Sequence, residues 1–170
     1  MVYTVVKYGD PILEKEAEPV TDFGTPELCQ LVEDMFETMY ASKGVGLAAP
    51  QIGLSKQISV IDVTGGEDPA QKVVIINPEI IHKDGKQRGE EGCLSIPGFR
   101  EEVTRANSVK VRAQNVDGEF FETSGEELLA RAFQHEIDHL HGILFLKHLS
   151  GLKRDIIRRK IQKLMKAGEW

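Results

Sequence analysis

Two histidines four residues apart carry the clearest chemical signal in the sequence. His135 and His139 enclose the run His-Glu-Ile-Asp-His, and residues with this spacing share one face of a helix. Their imidazoles can therefore bind one metal ion together. Glu136 directly follows the first histidine, so its carboxylate can reach a water molecule at the metal as a general base without being a ligand. The run predicts a helical metal site with hydrolytic chemistry.

Such a site needs a third protein ligand, and its identity separates the possible classes of enzyme. A metzincin protease would have a histidine where this chain has Phe145, and a thermolysin-type protease needs a downstream glutamate, of which only Glu169 exists. His148 stands at no familiar spacing. The remaining candidate is Cys93, because a thiolate and two imidazoles leave a fourth position open for water. A metallopeptidase that cleaves internal bonds stays as the alternative enzyme.

A stretch of small residues, from Gly44 to Gly53, is a third feature with chemical potential. Its glycines and alanines allow another backbone to approach closely, and Gln51 offers a neutral amide donor. The stretch lacks the Lys-Ser/Thr pair of a phosphate-binding loop and does not match the dinucleotide fingerprint. We therefore expect no nucleotide cofactor.

Local patterns predict the elements that must position these residues. Thr25 and Pro26 begin a helix whose apolar stripe runs to Tyr40, with Gly44 just past its end. Ser124 and Glu127 form a predicted capping box at the start of the His135 helix. A third helix is expected over about 151–166.

The segments between the first two helices resemble β-structure, with β-branched or alternating runs at 58–63, 73–76 and 109–113 and a hairpin signal at Asp117-Gly118. This order of elements predicts an α+β fold. We expect antiparallel or mixed β-sheets packed around a central metal-binding helix, with an N-terminal and a C-terminal helix.

Composition limits the remaining possibilities. The 170 residues predict a single domain over 1–170, and no apolar run reaches the ~18 residues of a membrane span. The first ten residues lack the pattern of a signal peptide, and two cysteines form no disulfide framework, so we expect a cytoplasmic protein. Residues 151–170 contain seven basic and two acidic side chains, which favours an anionic partner such as RNA.

Three motifs together resemble those of the peptide deformylases. They are Gly-Val-Gly-Leu-Ala-Ala-Pro-Gln at 44–51, Glu-Gly-Cys-Leu-Ser at 91–95 and Gln-His-Glu-Ile-Asp-His at 134–139. With the basic C-terminal helix, the resemblance covers nearly the whole chain and is similar to the type common in Gram-negative bacteria and organelles. Pro50 is a small departure, since the family also has threonine at this position.

The resemblance implies an activity and the residues that perform it. The expected reaction removes the N-formyl group from the initiator methionine of nascent polypeptides and releases formate. Cys93, His135 and His139 would hold a divalent metal, Fe²⁺ natively, with Zn²⁺, Ni²⁺ or Co²⁺ as replacements. Glu136 would move protons, while the Gln51 side chain and the Leu94 N–H would stabilise the oxyanion.

The resemblance also implies how substrate and partners bind. Val45, Gly46 and Gly92 would pair with the substrate backbone as with an added strand. Leu128 and Ala132 would line the methionine pocket. The basic C-terminal helix would dock on the ribosome, and no membrane contact is expected. A different class, a non-catalytic metal-stabilised ribosome-associated protein, stays as a further alternative. Asp138 and His141 point away from the ligand face and are expected at the surface.

Overall fold

The computed structural model describes residues 1–170 and contains three α-helices, seven β-strands and four short 3-10 helices. The α-helices are α1 (Pro26–Ala41), α2 (Glu127–Leu140) and α3 (Gly151–Lys166). The strands are β1 (Gly46–Ala48), β2 (Ile58–Ile61), β3 (Val73–Asp84), β4 (Gln87–Gly92), β5 (Arg100–Arg105), β6 (Ser108–Gln114) and β7 (Phe120–Glu126). The 3-10 helices span Pro11–Glu14, Ala49–Ile52, Pro69–Gln71 and Phe145–His148.

The strands form two separate antiparallel sheets. Five strands are ordered β1-β2-β3-β6-β7, and β4 pairs with β5 in a two-stranded sheet. Helix α2 packs against the larger sheet, where it contacts β7, β1, β2 and β6. The predicted α+β fold with a central helix is confirmed, and its sheets are antiparallel rather than mixed.

Helix α1 begins as predicted and ends differently. The Thr25 hydroxyl accepts a hydrogen bond from the Leu28 N–H at 3.1 Å, and Pro26 occupies the first turn. At the other end Lys43, not Gly44, takes the left-handed conformation, with φ of 58°. A Cβ at Gly44 would stand 2.8 Å from Cδ1 of Leu94, so a larger residue there would require the Leu94 side chain to shift.

The predicted start of α2 at Ser124 is wrong. Ser124 lies in β7, opposite Lys110 of β6, and the helix begins at Glu127. The strand pairing continues to Glu126, so the backbone turns directly from strand into helix. Glu127 makes this turn with a φ of 55°, and its N–H donates to the Asn107 carbonyl at 2.8 Å. Sheet pairing thus overrides the local capping signal.

The predicted extent of helix α3 is confirmed, and two buried residues anchor the helix. Ile157 and Ile161 share a core with Leu13, Ile96 and Phe145, while the basic side chains of the helix face outward. The Ser150 hydroxyl caps the first turn by accepting from the Lys153 N–H at 3.3 Å. None of the helices combines the length and apolar character that a membrane span requires.

Candidate active site

Helix α2 and the loop after β4 bring three potential metal ligands together. The Nε2 atoms of His135 and His139 lie 3.2 Å apart, because the residues are one turn apart on the same face. The Cys93 Sγ lies 3.4 Å from the Nε2 of His139. All three ligand atoms are within 4.8 Å of one another. One ion can therefore contact all three.

The chemistry of these donors fits a divalent transition metal. A thiolate with two imidazoles is a ligand set used for zinc and related ions at catalytic sites. Burial lowers the pKa of His139 well below its usual value, so its ring is neutral and keeps a lone pair. The Nδ1 of His139 is buried without a partner, so only Nε2 faces Cys93 and His135. The site thus contains two imidazoles and a thiol whose donor atoms converge on one point.

Glu91, the only buried residue of β4, orients His135. Its Oε1 lies 2.9 Å from the Nδ1 of His135. Burial alone would raise the pKa of Glu91, but hydrogen bonds from Arg105 and His135 outweigh burial and hold the pKa well below its usual range. The carboxylate is therefore ionised and accepts a hydrogen bond from Nδ1–H, so that Nε2 of His135 is directed at the ligand group.

Two arginines neutralise Glu91. Arg105 donates to both of its oxygens, at 2.7 and 2.8 Å, and Arg131 donates to Oε2 at 2.6 Å. All three side chains are buried. Glu91 stands in the motif at 91–95, but its role cannot be predicted from the sequence because its partners lie 14 to 44 residues away along the chain.

A further pair extends this network towards the surface. Arg105 also donates to Asp138 at 2.7 Å, and Asp138 lies 2.9 Å from the Nε2 of His148. The prediction that Asp138 is a plain surface residue is therefore wrong, since it is half-buried and paired. His141 is exposed, as expected, and lies 2.7 Å from Glu16.

The carboxyl group of Glu136 is buried beside the ligand group. Burial raises its pKa to about 7, and its Oε1 has no hydrogen-bond partner. The group approaches β1 so closely that a Cβ at Gly46 would overlap the carboxyl atoms. A glycine at position 46 is therefore a steric requirement for this placement. An unpaired carboxyl with a pKa near neutrality can both accept and return a proton.

Two amide groups adjoin Cys93. The buried Gln51 amide lies in the 3-10 helix Ala49–Ile52, and its Oε1 accepts from the Ala48 N–H at 3.0 Å. This contact turns Nε2 towards the Cys93 loop, 3.1 Å from the Ser95 Oγ and 3.5 Å from the Cys93 Sγ. The Leu94 N–H donates no backbone hydrogen bond. Both groups are thus N–H donors at the edge of the ligand group.

These residues surround one cavity of about 310 Å³. Its walls include β1 and β4, each of which pairs with a neighbour on one side only. An extended peptide can therefore add to either free edge. Nearly all of the predicted site residues line this cavity: Val45, Gly46, Gln51, Gly92, Cys93, Leu94, Leu128, Ala132, His135 and Glu136. His139 lies behind them, buried against His135.

Comparisons with known proteins agree with this geometry. A family profile described as polypeptide deformylase matches residues 2–155. A peptide deformylase of Acidobacterium capsulatum is 61% identical over 170 residues, covering 100% of this chain and 99% of the relative. One of Agathobacter rectalis is 51% identical over 153 residues, covering 90% of this chain and 93% of the relative.

Solved structures give the same result. The crystal structure of a peptide deformylase from Legionella pneumophila has a TM-score of 0.90 at 46% identity and covers 99% of this chain and 98% of its own. The structure of the Thermus thermophilus enzyme has a TM-score of 0.86 at 44% identity, covering 95% and 94%. None of these matches supports the alternatives of an internal metallopeptidase or a non-catalytic protein.

The fold, the group of three potential metal ligands and the relatives of the chain therefore all indicate the same family. The chain belongs to the peptide deformylase family, metal-dependent hydrolases that remove the N-formyl group from the N-terminal methionine of nascent polypeptides.

Proposed function

We propose that deformylation takes place in the cavity between β1 and β4, at a divalent metal held by Cys93, His135 and His139. The convergence of one Sγ and two Nε2 atoms beside a buried carboxyl group carries this proposal. Fe²⁺ is the proposed working metal, and Zn²⁺, Ni²⁺ or Co²⁺ are replacements that the same donors accept. When bound, the metal polarises the formyl carbonyl and lowers the pKa of water.

Glu136 is the proposed proton carrier. It takes a proton from the attacking water as the new C–O bond forms and gives it to the nitrogen as the C–N bond breaks, which yields formate and a free amine. A carboxyl pKa of about 7 suits both transfers near neutral pH. Nε2 of Gln51 and the N–H of Leu94 donate to the developing oxyanion. Loss of one such donor typically lowers the rate by ~10²–10³.

The two free strand edges are the proposed sites for the peptide backbone. Val45 and Gly46 on one side and Gly92 on the other would hydrogen-bond to a substrate in extended conformation. Leu128, Ala132 and the ring of His135 would hold the methionine side chain. Leu128 and Val45 are large apolar residues exposed at the cavity, as an apolar substrate requires.

Formate release from formyl-Met-Ala-Ser tests these roles, using anaerobically purified protein loaded with Fe²⁺ or Ni²⁺. We expect turnover by the wild type and its loss by about 10²–10⁴-fold in Glu136→Gln, with metal content unchanged. Glu122→Gln, which changes an exposed glutamate paired with Lys110 on β6, is the matched control. Equal turnover by Glu136→Gln and wild type would rule out the assigned role.

We further propose that the basic face of α3 docks on ribosomal RNA. Arg159 and Lys163 are exposed on this helix and have no ion-pair partner within the chain. Co-sedimentation with ribosomes should weaken in an Arg159→Glu/Lys163→Glu double variant and should fall with rising salt. An Arg88→Glu/Lys110→Glu variant, on the strands, is the control. Equal sedimentation of both variants would refute docking through α3.

We also propose a cellular location for the protein and the extent of its domain. A cytoplasmic location is proposed because the substrate is a nascent chain and a free Cys93 thiol needs reducing conditions. Residues 1–170 are proposed to act as one domain, since Ile157 and Ile161 of α3 share a core with Leu13 and Ile96.

A further inference from the structure

Three lysine and arginine residues line the substrate cavity, and one of them lacks an anionic partner. Arg100 lies 3.5 Å from Glu90, and Arg131 lies 2.6 Å from Glu91. Lys43 is half-buried and takes part in no ion pair. A paired charge is largely neutralised by its neighbour, whereas an unpaired ammonium group attracts an anion within about 8–10 Å at moderate salt. The cavity thus has one cation whose charge can act on a bound molecule.

The fold places Lys43 in the side of the cavity that α1 supports. Lys43 follows the end of α1, and its N–H donates to the Tyr40 carbonyl at 3.0 Å. Its φ of 58° turns the chain from the helix towards β1. At the next residue, Gly44, a Cβ would stand 2.8 Å from Cδ1 of Leu94, and Leu94 packs against the core around α1. Lys43, Gly44 and Leu94 therefore form one side of the cavity.

Helix α2 forms the opposite side. The cores around α1 and α2 lie on the two faces of the large sheet, because successive residues of a strand point alternately to one face and the other. In β1, Leu47 belongs to the α1 core, while a Cβ at Gly46 would overlap a carboxyl group of α2. The free edge of β1 thus runs between a wall that contains Lys43 and a wall that contains Leu128 and Ala132.

A peptide in extended conformation along this edge points its side chains alternately to the two walls. In the proposed function the first side chain, that of methionine, lies against Leu128 and Ala132 on the α2 side. The second side chain then points to the wall that contains Lys43. The residue after methionine is therefore the one that meets the unpaired charge.

We infer that Lys43 is a specificity-determining residue, which favours formylated chains with aspartate or glutamate directly after the methionine. The inference rests on the proposed function, because that function fixes where the methionine lies. The ammonium group is a compact charge on a flexible stem of four carbons, so it can approach a carboxylate on the second residue without a fixed geometry. The reaction is unchanged, since the same C–N bond is hydrolysed and formate is released.

The preference should appear in KM rather than in kcat. Lys43 does not belong to the ligand group, so its attraction to the second side chain acts equally on the bound substrate and on the transition state. Accessible charge pairs are weak, and we expect an effect of about two- to fivefold at low salt. The effect should disappear at high salt because such charges are screened.

The test compares kcat/KM for formyl-Met-Asp-Ser and formyl-Met-Asn-Ser, both with an amidated C-terminus. Aspartate and asparagine have nearly the same shape, so the ratio of the two values measures the charge. The amidation removes the terminal carboxylate, which would be a second anion near the cavity. For the Ni²⁺-loaded wild type we expect an Asp-to-Asn ratio of about 2–5 at about 20 mM salt and of about 1 at about 1 M salt.

Three variants assign the preference to one side chain. Lys43→Gln should bring the low-salt ratio to about 1, and Lys43→Glu should invert it to about 0.2–0.5. Both variants keep a Cβ and an unbranched side chain, so the backbone conformation with φ of 58° is equally unfavourable in each. Lys86→Glu makes the same change in net charge at an exposed residue between β3 and β4, and it should keep the wild-type ratio.

Each outcome decides one proposal. A wild-type ratio of about 1 or below at low salt, with both peptides deformylated, would overturn this inference alone. A ratio that stays at the wild-type value in Lys43→Gln would overturn it as well, because another group would then cause the preference. Failure of the wild type to release formate from either peptide would instead refute the proposed catalytic site.

Discussion

The Nδ1 of His135 lies 2.9 Å from Oε1 of Glu91, so a carboxylate on β4 orients an imidazole on α2. Glu91 belongs to the two-stranded sheet and His135 to α2, so the contact joins this sheet to the helix. Arg105 and Arg131 hold the carboxylate from the other sides. The ligand group is thus positioned by a charged, fully buried cluster rather than by α2 alone.

Replacing Glu91 should weaken metal binding. In Glu91→Gln the amide no longer accepts strongly from Nδ1, Arg131 loses its counter-charge, and Arg105 keeps only Asp138. We expect metal affinity to fall by about 10–100-fold, measured by competition with a chelator. Glu90→Gln, at the neighbouring exposed residue, is the control and should keep wild-type affinity. Equal affinity of the Glu91 variant and the wild type would show that the contact does not orient His135.

Adding one methyl group at Gly46 should disable Glu136. A Cβ at this position overlaps the carboxyl group, which must then move away from the cavity. We expect Gly46→Ala to lower kcat by about 10²-fold or more while the metal content stays the same. Gly151→Ala is the control, since the atom nearest to a Cβ at that position is 3.9 Å away. Full activity in Gly46→Ala would mean that the close approach has no catalytic importance.

Lys43 should be a site at which glycine stabilises the fold. Its φ of 58° is unfavourable for a residue with a Cβ. We expect Lys43→Gly to raise the free energy of unfolding by up to about 1 kcal/mol in urea titrations, and Lys43→Ala, which retains a Cβ, to give no such gain. If both variants unfold at the same urea concentration, the backbone conformation at this position is not strained.

Asp62 should contribute stability that depends on pH. Burial acts to raise its pKa, but hydrogen bonds from Thr64, Tyr40 and the Gly66 N–H outweigh burial, so the pKa is lowered from 3.8. The pKa of Tyr40 is raised to about 12 by burial and by this bond, so its hydroxyl remains a donor. A lowered carboxyl pKa gives stability that is complete above 3.8 and is lost as the pH falls through the folded-state value.

Urea unfolding of Asp62→Asn measures this contribution. At neutral pH the variant should be less stable by roughly 1–3 kcal/mol, because its amide N–H groups face other donors. The difference from wild type should shrink as the pH is lowered below 3.8, where the wild-type carboxylate itself becomes protonated. A difference that is constant with pH would indicate that lost packing, and not ionisation, causes the effect.

The proposed iron site should be sensitive to oxygen. Ferrous iron and the Cys93 thiolate can both be oxidised, whereas Ni²⁺ is stable in air. We expect the activity of the Fe²⁺ form to decay in air and to persist under nitrogen, with the Ni²⁺ form persisting in both. Equal stability of the two forms in air would argue against Fe²⁺ as the working metal.

Local sequence patterns predicted those elements that are determined by signals within their own residues. The start of α1 at Thr25-Pro26 and the extent of α3 follow from caps and helical periodicity, and both are confirmed. The β4–β5 hairpin had no such signal. Its strands alternate between exposed residues and half-buried or buried ones, but the inward positions include Glu91 and Arg105, so no apolar periodicity marks the strands.

The candidate site also has one part that the sequence predicts and one part that it does not. The His135–His139 spacing is a property of one helix and is visible in the sequence. The cluster of Glu91, Arg105 and Asp138 joins three elements, so no spacing reveals it. The capping box expected at Ser124 failed for a related reason, because pairing between β6 and β7 determines where α2 begins.

The direct passage from β7 into α2 has a mechanical consequence. With no loop between them, the angular position of the helix about its own axis is set by the hydrogen-bond register of the sheet. One residue inserted beside Glu127 would rotate both histidines by roughly 100° and turn them away from Cys93. One residue inserted at Asp117-Gly118, in the turn before β7, would be absorbed there. The register of β7 thus fixes the direction in which both histidine side chains point.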